Sequence, residues 1–244
     1  MLRPILISIA HSSIYVPKEI KERMFLSDFD IKKMSDLYTD EIFDIKNYYK
    51  VEAHISRLVC DPNRAPDDIQ SESELCSEGV VVRVNEDGKQ VYKEPPTPEM
   101  IMKRIETYHK AFHDEIDNNI NKVKFMIDGH SMCSIGPYAK ADRGKDRPDI
   151  CLGNRLYSSC NFEFTRFWQE AFTDLGYSVS INKPYSGHFV LGYHCHRQRI
   201  PGIQIEINRK LFMNEETLEP NNNQIKLLNK QIGEILNKFA ERIS

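Results

Sequence analysis

The sequence predicts an α/β fold: a three-layer sandwich in which helices cover both faces of a central mixed, mostly parallel sheet. Three observations carry this. Short apolar runs of strand length alternate with longer segments of helical apolar spacing, the pattern of a sheet covered by helices. No internal repeat and no low-complexity linker divides residues 1–244, so one domain is expected over the whole chain. At 244 residues, roughly 70–75% of the unfolded surface can be buried, and the core needs no covalent staple.

Residues 4–10 form a short apolar stretch that runs into His11-Ser12-Ser13. Ser8 interrupts it and no small-x-small cleavage site follows, so it reads as a buried strand and not as a secretion signal. Residues 30–46 place Ile31, Met34, Leu37, Ile42, Phe43 and Ile45 at approximately helical spacing and predict one helix. Residues 51–59 predict a second strand, leading directly into Cys60-Asp61-Pro62-Asn63-Arg64. Residues 80–85 and 89–92 flank Asp87-Gly88 as a hairpin. Pro95, Pro96 and Pro98 mark a loop, after which residues 99–121 read as a long helix.

Residues 124–128 are the next strand, ending on Gly129-His130-Ser131. Residues 138–148, rich in Lys, Arg and Asp, read as an exposed loop. A helix over 162–175 closes at Gly176, strands follow at 177–182 and 202–208, and a helix over about 222–242 ends the pattern.

Composition excludes several classes of function. Lys and Arg number 33 against 36 Asp and Glu, a formal charge of -3 that gives no electrostatic reason for a nucleic-acid partner. No apolar run approaches the ~18 residues that span a bilayer, so no membrane partner is expected. The cysteines at 60, 76, 133, 151, 160 and 195 contain no C-x-x-C pair, which argues against a zinc knuckle or a compact disulfide framework. Reduced thiols in a cytoplasmic protein are the expectation.

Four elements can carry chemistry. His11 and His130 each follow an apolar run and precede a serine, and each is placed at a strand end. Imidazole is the commonest metal ligand, although a hydrogen-bonded strand-end histidine has the same signature. Glu206 alternates with Ile203, Ile205 and Ile207, which puts a carboxylate on one face of an otherwise apolar strand. Burial there demands a metal, a cation or hydrogen-bond donors, and a solvated or Arg-paired glutamate is the alternative. Arg57, Asn63 and Arg64 surround a strand end and suit recognition of a carboxylate, unless they form a surface ion-pair cluster with Asp61, Asp67 and Asp68.

Read together, these segments resemble the N-formylglutamate amidohydrolase family nearly end to end. The ordered set is Ala10-His11-Ser12-Ser13, Ser35-Asp36-Leu37-Tyr38-Thr39-Asp40, Ser56-Arg57 through Asp61-Pro62-Asn63-Arg64, and Tyr108-His109 through His113. It continues with Asp128-Gly129-His130-Ser131, Gly136-Pro137, Asp149 through Gly153-Asn154, Asn182 through Gly187, and Gln204-Ile205-Glu206-Ile207-Asn208-Arg209. At greater distance the resemblance reaches the zinc carboxypeptidases and aspartoacylase-like deacylases, with their phosphorylase/hydrolase-like fold.

The resemblance implies a divalent metal, zinc, held by His11, His130 and an acidic residue, with Glu206 as general base. It implies that Asn63 and Arg64, with Arg57, orient substrate carboxylates. The carboxypeptidase-type His-x-x-Glu would need an acid at position 14, where Ile14 stands. Asp36 is therefore the expected acidic ligand, with Asp40 second. His109 and His113 offer a rival i, i+4 metal pair. They lack the intervening Glu of H-E-x-x-H, so His113 is expected at the substrate or supporting a ligand.

The implied reaction is removal of the formyl group from an N-formyl amino acid, N-formyl-L-glutamate by analogy, a small-molecule substrate carrying carboxylates. A deacylase or peptidase for another N-acyl amino acid, and a binding protein without turnover, are the alternatives. His188, where the family usually has glycine, and Cys195 between His194 and His196 are departures expected to lie in a solvated loop.

Overall fold

The computed structural model of the chain describes residues 2–69 and 79–243, and one six-stranded sheet is its frame. The strands are β1 (Ile5–Ile9), β2 (Tyr49–Glu52), β3 (Phe125–Met132), β4 (Ile150–Gly153), β5 (Val179–Ile181) and β6 (Gly202–Asn208). They lie in the order β2-β1-β3-β6-β4-β5, all neighbours parallel except the antiparallel β4–β6 pair. The helices are α1 (Lys18–Lys21), α2 (Asp28–Lys33), α3 (Thr39–Ile42), α4 (Pro98–Arg104), α5 (Lys110–Ile120), α6 (Phe162–Asp174), α7 (Phe189–Gln198) and α8 (Asn222–Arg242). The sheet is thus mixed and mostly parallel, as expected.

Side chains alternate across a strand, and that period of two separates core from site. Ile5, Ile7 and Ile9, Phe125 and Ile127, and Ile203, Ile205 and Ile207 pack with Trp168 and Phe172 of α6 and Ile232, Leu236 and Phe239 of α8. On the opposite face Leu6 and Met126 pack with Phe112 and Ile116 of α5 and Val190 and Leu191 of α7. Two residues further along that second face the apolar side chains give way to Ser8, Asp128 and Gln204, which the register sets abreast. His130 and Glu206 then face each other in the next aligned pair. A third cluster joins Ile55, Leu58 and Val59 to Val80, Val91 and Ile101. Buried Arg104 serves it by donating to the Tyr92 hydroxyl at 2.7 Å and to the Val59 carbonyl at 3.3 Å.

Several expectations need correction. The helix expected over 30–46 is two short helices, α2 and α3, separated by Tyr38 at φ 66°. Its helical spacing is real, but the Asp36 N–H donates to the His11 carbonyl at 2.9 Å, and this tertiary bond replaces a helical one. The strand expected over 51–59 lies at Tyr49–Glu52, after which the chain leaves the sheet for the third cluster. The hairpin is reduced to one bridge, Val84 to Gln90, turned at Gly88. The long helix forms with a five-residue π turn, Ile105–His109, between α4 and α5. β3 continues to Met132, so His130 lies within a strand and not beyond its end. Neither β4 nor α7 was expected. Within 138–148, Arg147 is buried and its guanidinium Nε donates to Asp142 at 2.7 Å.

The described cysteines, at 60, 133, 151, 160 and 195, carry no disulfide, and Cys76 lies outside the described residues. Among the described residues no helix is long and apolar enough to cross a membrane. Gly129 fills a tight place: an added Cβ would lie 2.7 Å from the Phe43 ring. Phe43 is fully buried and cannot step aside. Gly129→Ala is therefore expected to cost about 1–3 kcal/mol, read as a lower urea midpoint.

Candidate active site

Three separate elements deliver the central groups. His11 follows β1, Asp36 sits in the break between α2 and α3, and His130 stands on β3, all buried. One ligand atom from each lies within 4.8 Å of the others. Asp36 Oδ2 is 3.0 Å from His130 Nδ1 and 3.6 Å from His11 Nδ1. The far nitrogen of each ring rests on a second buried carboxylate: His11 Nε2 on Asp61 Oδ1 at 2.7 Å, and His130 Nε2 on Asp128 Oδ2 at 3.0 Å.

An ionised carboxylate only accepts hydrogen bonds, so a metal held at the two Nδ1 atoms, which converge on Asp36, would leave each Nε2 to donate to its own carboxylate. Tetrahedral zinc with bonds of about 2.0–2.1 Å sets its ligands roughly 3.3–3.4 Å apart. The His-Asp-His donor set suits such an ion, and the 3.0 and 3.6 Å spacings about Asp36 Oδ2 bracket that value. Asp40, the second choice, lines a different groove with Ser12 and Glu52.

The carboxylates are held in turn. Arg209 donates to Asp36 Oδ1 at 3.0 Å, and Arg57 to Asp61 Oδ2 at 2.8 Å. Ser8 Oγ donates to Asp128 Oδ1 at 2.7 Å. Burial alone would raise the Asp36 carboxyl, but hydrogen bonds and charge from His11 and His130 hold it well below the usual carboxylate range. Burial likewise opposes ionisation of Asp61, and the charges of His11 and Arg57 reverse it. Burial would lower His130, yet Asp128 and Asp36 raise it well above the ordinary imidazole value. A dication held there would therefore compete with a proton for its Nδ1.

Asp61→Asn keeps the shape but removes the charge behind His11. It is expected to weaken the affinity of this site for a divalent metal about 10–100-fold, measured by competitive chelator titration with zinc as the probe.

Glu206 faces His130 across the β3–β6 pair and accepts from Gln204 Nε2 at 2.7 Å. Burial, joined by the nearby charges of Asp36 and Asp128 and opposed by His130, lifts its pKa to about 7. His11, Asp36, His130 and Glu206 share one cleft with Arg57, Asn63 and Arg64, enclosing about 60 Å³. Asn63 is more committed than expected. Its Nδ2 donates to Asp128 Oδ2 at 3.3 Å, and its Oδ1 accepts from the Val190 N–H at 3.0 Å.

His113 does not line this cleft. Its Nε2 donates to the Pro62 carbonyl at 2.9 Å and its Nδ1 meets His194 Nε2 at 2.7 Å. His109 Nε2 donates to the Arg64 carbonyl at 2.8 Å. The i, i+4 pair thus grips, from behind, the loop that carries Asn63 and Arg64, and it is not a metal pair. Burial first, then the charges of His109 and His194, lowers His113 to about 3, so it stays neutral.

The solvated loop expected around His188 and Cys195 is also corrected. His188 lines the cleft, and His194 and Cys195 are buried in α7. Sequence reasoning gave no supporting role to Ser8, Asp128 or Arg209, and it weighed Asp61 only as a surface ion-pair partner, whereas its pair with Arg57 is buried. Asp128 carried a usable signal, since it stands two residues before His130 on the same strand face.

A strand-end cleft in an α/β sheet, with paired imidazoles, a carboxylate between them and a raised glutamate opposite, belongs to a hydrolase acting on an amide bond. The family profile of N-formylglutamate amidohydrolase matches residues 3–213, and the chain belongs to that family. An N-formylglutamate amidohydrolase from Ralstonia eutropha JMP134 shares the fold with a TM-score of 0.88 at 20% identity, over 99% of this chain and 94% of that one. A gene product of Agrobacterium tumefaciens follows with a TM-score of 0.69 at 18% identity, over 97% and 92% of the two chains. No curated protein sequence matches the chain.

Proposed function

We propose that the protein is a metal-dependent deformylase that releases formate from an N-formyl amino acid, with N-formyl-L-glutamate as its substrate. The observation that carries this reading is the convergence of His11 Nδ1, His130 Nδ1 and Asp36 Oδ2 in one cleft with Glu206. His11, Asp36 and His130 would hold the ion, with zinc matching the nitrogen-rich donor set. A divalent ion there supplies Lewis acidity to the formyl carbonyl and lowers the pKa of water toward about 7.

The chain's own groups do the rest. Glu206 takes the proton of the attacking water at its carboxylate and returns it to the departing amine nitrogen. Its raised pKa suits both halves of that shuttle. Arg57 and Arg64 present guanidinium groups to substrate carboxylates, while Asn63 braces Asp128 and the start of α7, so that the formyl carbon stays within reach. The narrow cleft favours formyl over bulkier acyl groups.

The test is formate release by zinc-loaded protein from N-formyl-L-glutamate, beside N-acetyl- and N-succinyl-L-glutamate. Turnover of the formyl compound is expected to lead. Faster turnover of the acetyl compound would move the assignment to a different deacylase, and no turnover of any would leave a binding protein.

A further inference from the structure

Tyr185 lines the cleft, and neither the metal-binding groups nor the cations that meet substrate carboxylates account for it. The sheet fixes its place. In the antiparallel β4–β6 pair Cys151 stands directly opposite Glu206, so the two side chains share a face. The Cys151 thiol donates to the Tyr185 carbonyl at 3.2 Å. Gly153 lets the same segment come close to β4, since an added Cβ would lie 2.7 Å from the Gly187 nitrogen. Glu206 therefore has His130 as its neighbour on β3 and the Tyr185 segment on its β4 side.

The phenol is set up as a hydrogen-bond donor. Arg147 Nη1 donates to its oxygen at 3.3 Å, and Arg147 is itself held by two bonds to Asp142, at 2.7 and 3.0 Å. A hydroxyl that accepts from a guanidinium has its own O–H strengthened as a donor. Burial, then the charges of Glu86 and Glu206, pushes the phenol up from its ordinary value, so it keeps its proton at working pH. Among the described residues no carbonyl, carboxylate or hydroxyl takes that proton. Ser131, the other hydroxyl of the cleft, accepts from Arg209 Nε at 3.1 Å on the Asp36 side.

We propose, resting on the deformylase reading above, that the Tyr185 hydroxyl donates a hydrogen bond to the formyl oxygen as that oxygen becomes an oxyanion. The sheet order supports this over a contact with substrate carboxylates. Arg57 is tied through Asp61 to His11 after β1, two strands from β6 on one side, whereas Tyr185 is attached to β4 on the other. As the water oxygen bonds to the formyl carbon, the carbonyl π pair moves onto the formyl oxygen and the proton of the water goes to Glu206. When the C–N bond breaks, its pair leaves on nitrogen, which takes the proton from Glu206, and the oxygen pair restores the C=O bond of formic acid. Tyr185 transfers no proton, and its bond is strongest while the oxygen is charged.

The test is Tyr185→Phe, which keeps the ring that lies 5.1 Å from the Arg147 guanidinium. Its kcat for N-formyl-L-glutamate is expected to fall about 10²-fold with KM within about twofold, because the lost bond acts on charge that develops in the transition state. An unchanged kcat overturns the proposal. So does a rise in KM alone, which would make Tyr185 a carboxylate contact.

Calorimetry on the zinc-loaded wild type and variant separates this from the deformylase reading. The probes are N-phosphono-L-glutamate, which carries a tetrahedral oxyanion on its nitrogen, and L-glutamate, which carries none. Tyr185→Phe is expected to bind the phosphono compound about tenfold or more weakly and L-glutamate unchanged. If no formyl compound turns over, the deformylase reading fails and the ratio of the two affinities alone judges Tyr185. A fall of that ratio in the variant supports the assignment. Its persistence overturns it, including the case where both ligands weaken equally, the mark of a merely structural change in the cleft.

Discussion

Glu206→Gln is expected to leave the protein folded and able to bind metal while lowering kcat roughly 10²–10⁴-fold, the usual contribution of a positioned general base. The substitution keeps shape and volume. Its amide oxygen can still accept the hydrogen bond that Gln204 Nε2 gives to Glu206 at 2.7 Å. What disappears is the proton carrier.

The same residue sets the acid limb of the pH profile. Burial, with Asp36 and Asp128 adding their charge, puts the carboxyl at about 7, and a base works only when ionised. Activity should therefore rise with pH toward neutrality and level off above it, and a bound dication will draw the limb lower.

Stability moves the opposite way. The folded-state pKa lies above the unfolded one, so ionising Glu206 costs the folded protein stability, progressively from pH 4.5 up to about 7 and fully beyond. Metal-free Glu206→Gln should consequently resist urea better than the wild type at pH 8, by on the order of 3 kcal/mol. At pH 4 the two should match. A variant with full activity would remove Glu206 from the mechanism.

Metal removal should have the other large effect. Exhaustive chelation is expected to lower activity by at least about 10³-fold, the loss of several kcal/mol of charge stabilisation. Added zinc should restore it to the wild type. His130→Ala should show the same loss without rescue, because it deletes one converging Nδ1 and leaves Asp128 buried without its imidazole. Asp128 and Asp36 favour the protonated ring despite burial, so zinc affinity should weaken as pH falls from 8 to 6. Chelator competition at the two values measures this. Full activity in metal-free protein would overturn the assignment of His11, Asp36 and His130.

Much of this architecture was legible in the residues. β1 and β6 are marked by isoleucine-rich runs and α6 and α8 by helical spacing, and Glu206 announced itself as a carboxylate among isoleucines. Asp36 was harder, because its surroundings carry sound helical spacing and only the bond to the His11 carbonyl shows where the helix stops. α7 escaped because its buried positions include His194 and Cys195, polar types with no apolar rhythm. The grip of His113 was hidden for a related reason: its partner is the Pro62 backbone carbonyl, which leaves no trace in side-chain identity.

The π turn at Ile105–His109 lets one rod perform two tasks that would otherwise be out of phase. Before it, Arg104 reaches back to Tyr92 and Val59; at its last residue and one turn on, His109 and His113 reach the carbonyls of Arg64 and Pro62. Each residue of an α-helix advances about 100° around the axis. Deleting a single residue from the wide turn would therefore swing one set of grips off its target while the other stayed seated, which makes this turn the phase coupling between the scaffold's outer core and the loop that carries Asn63 and Arg64.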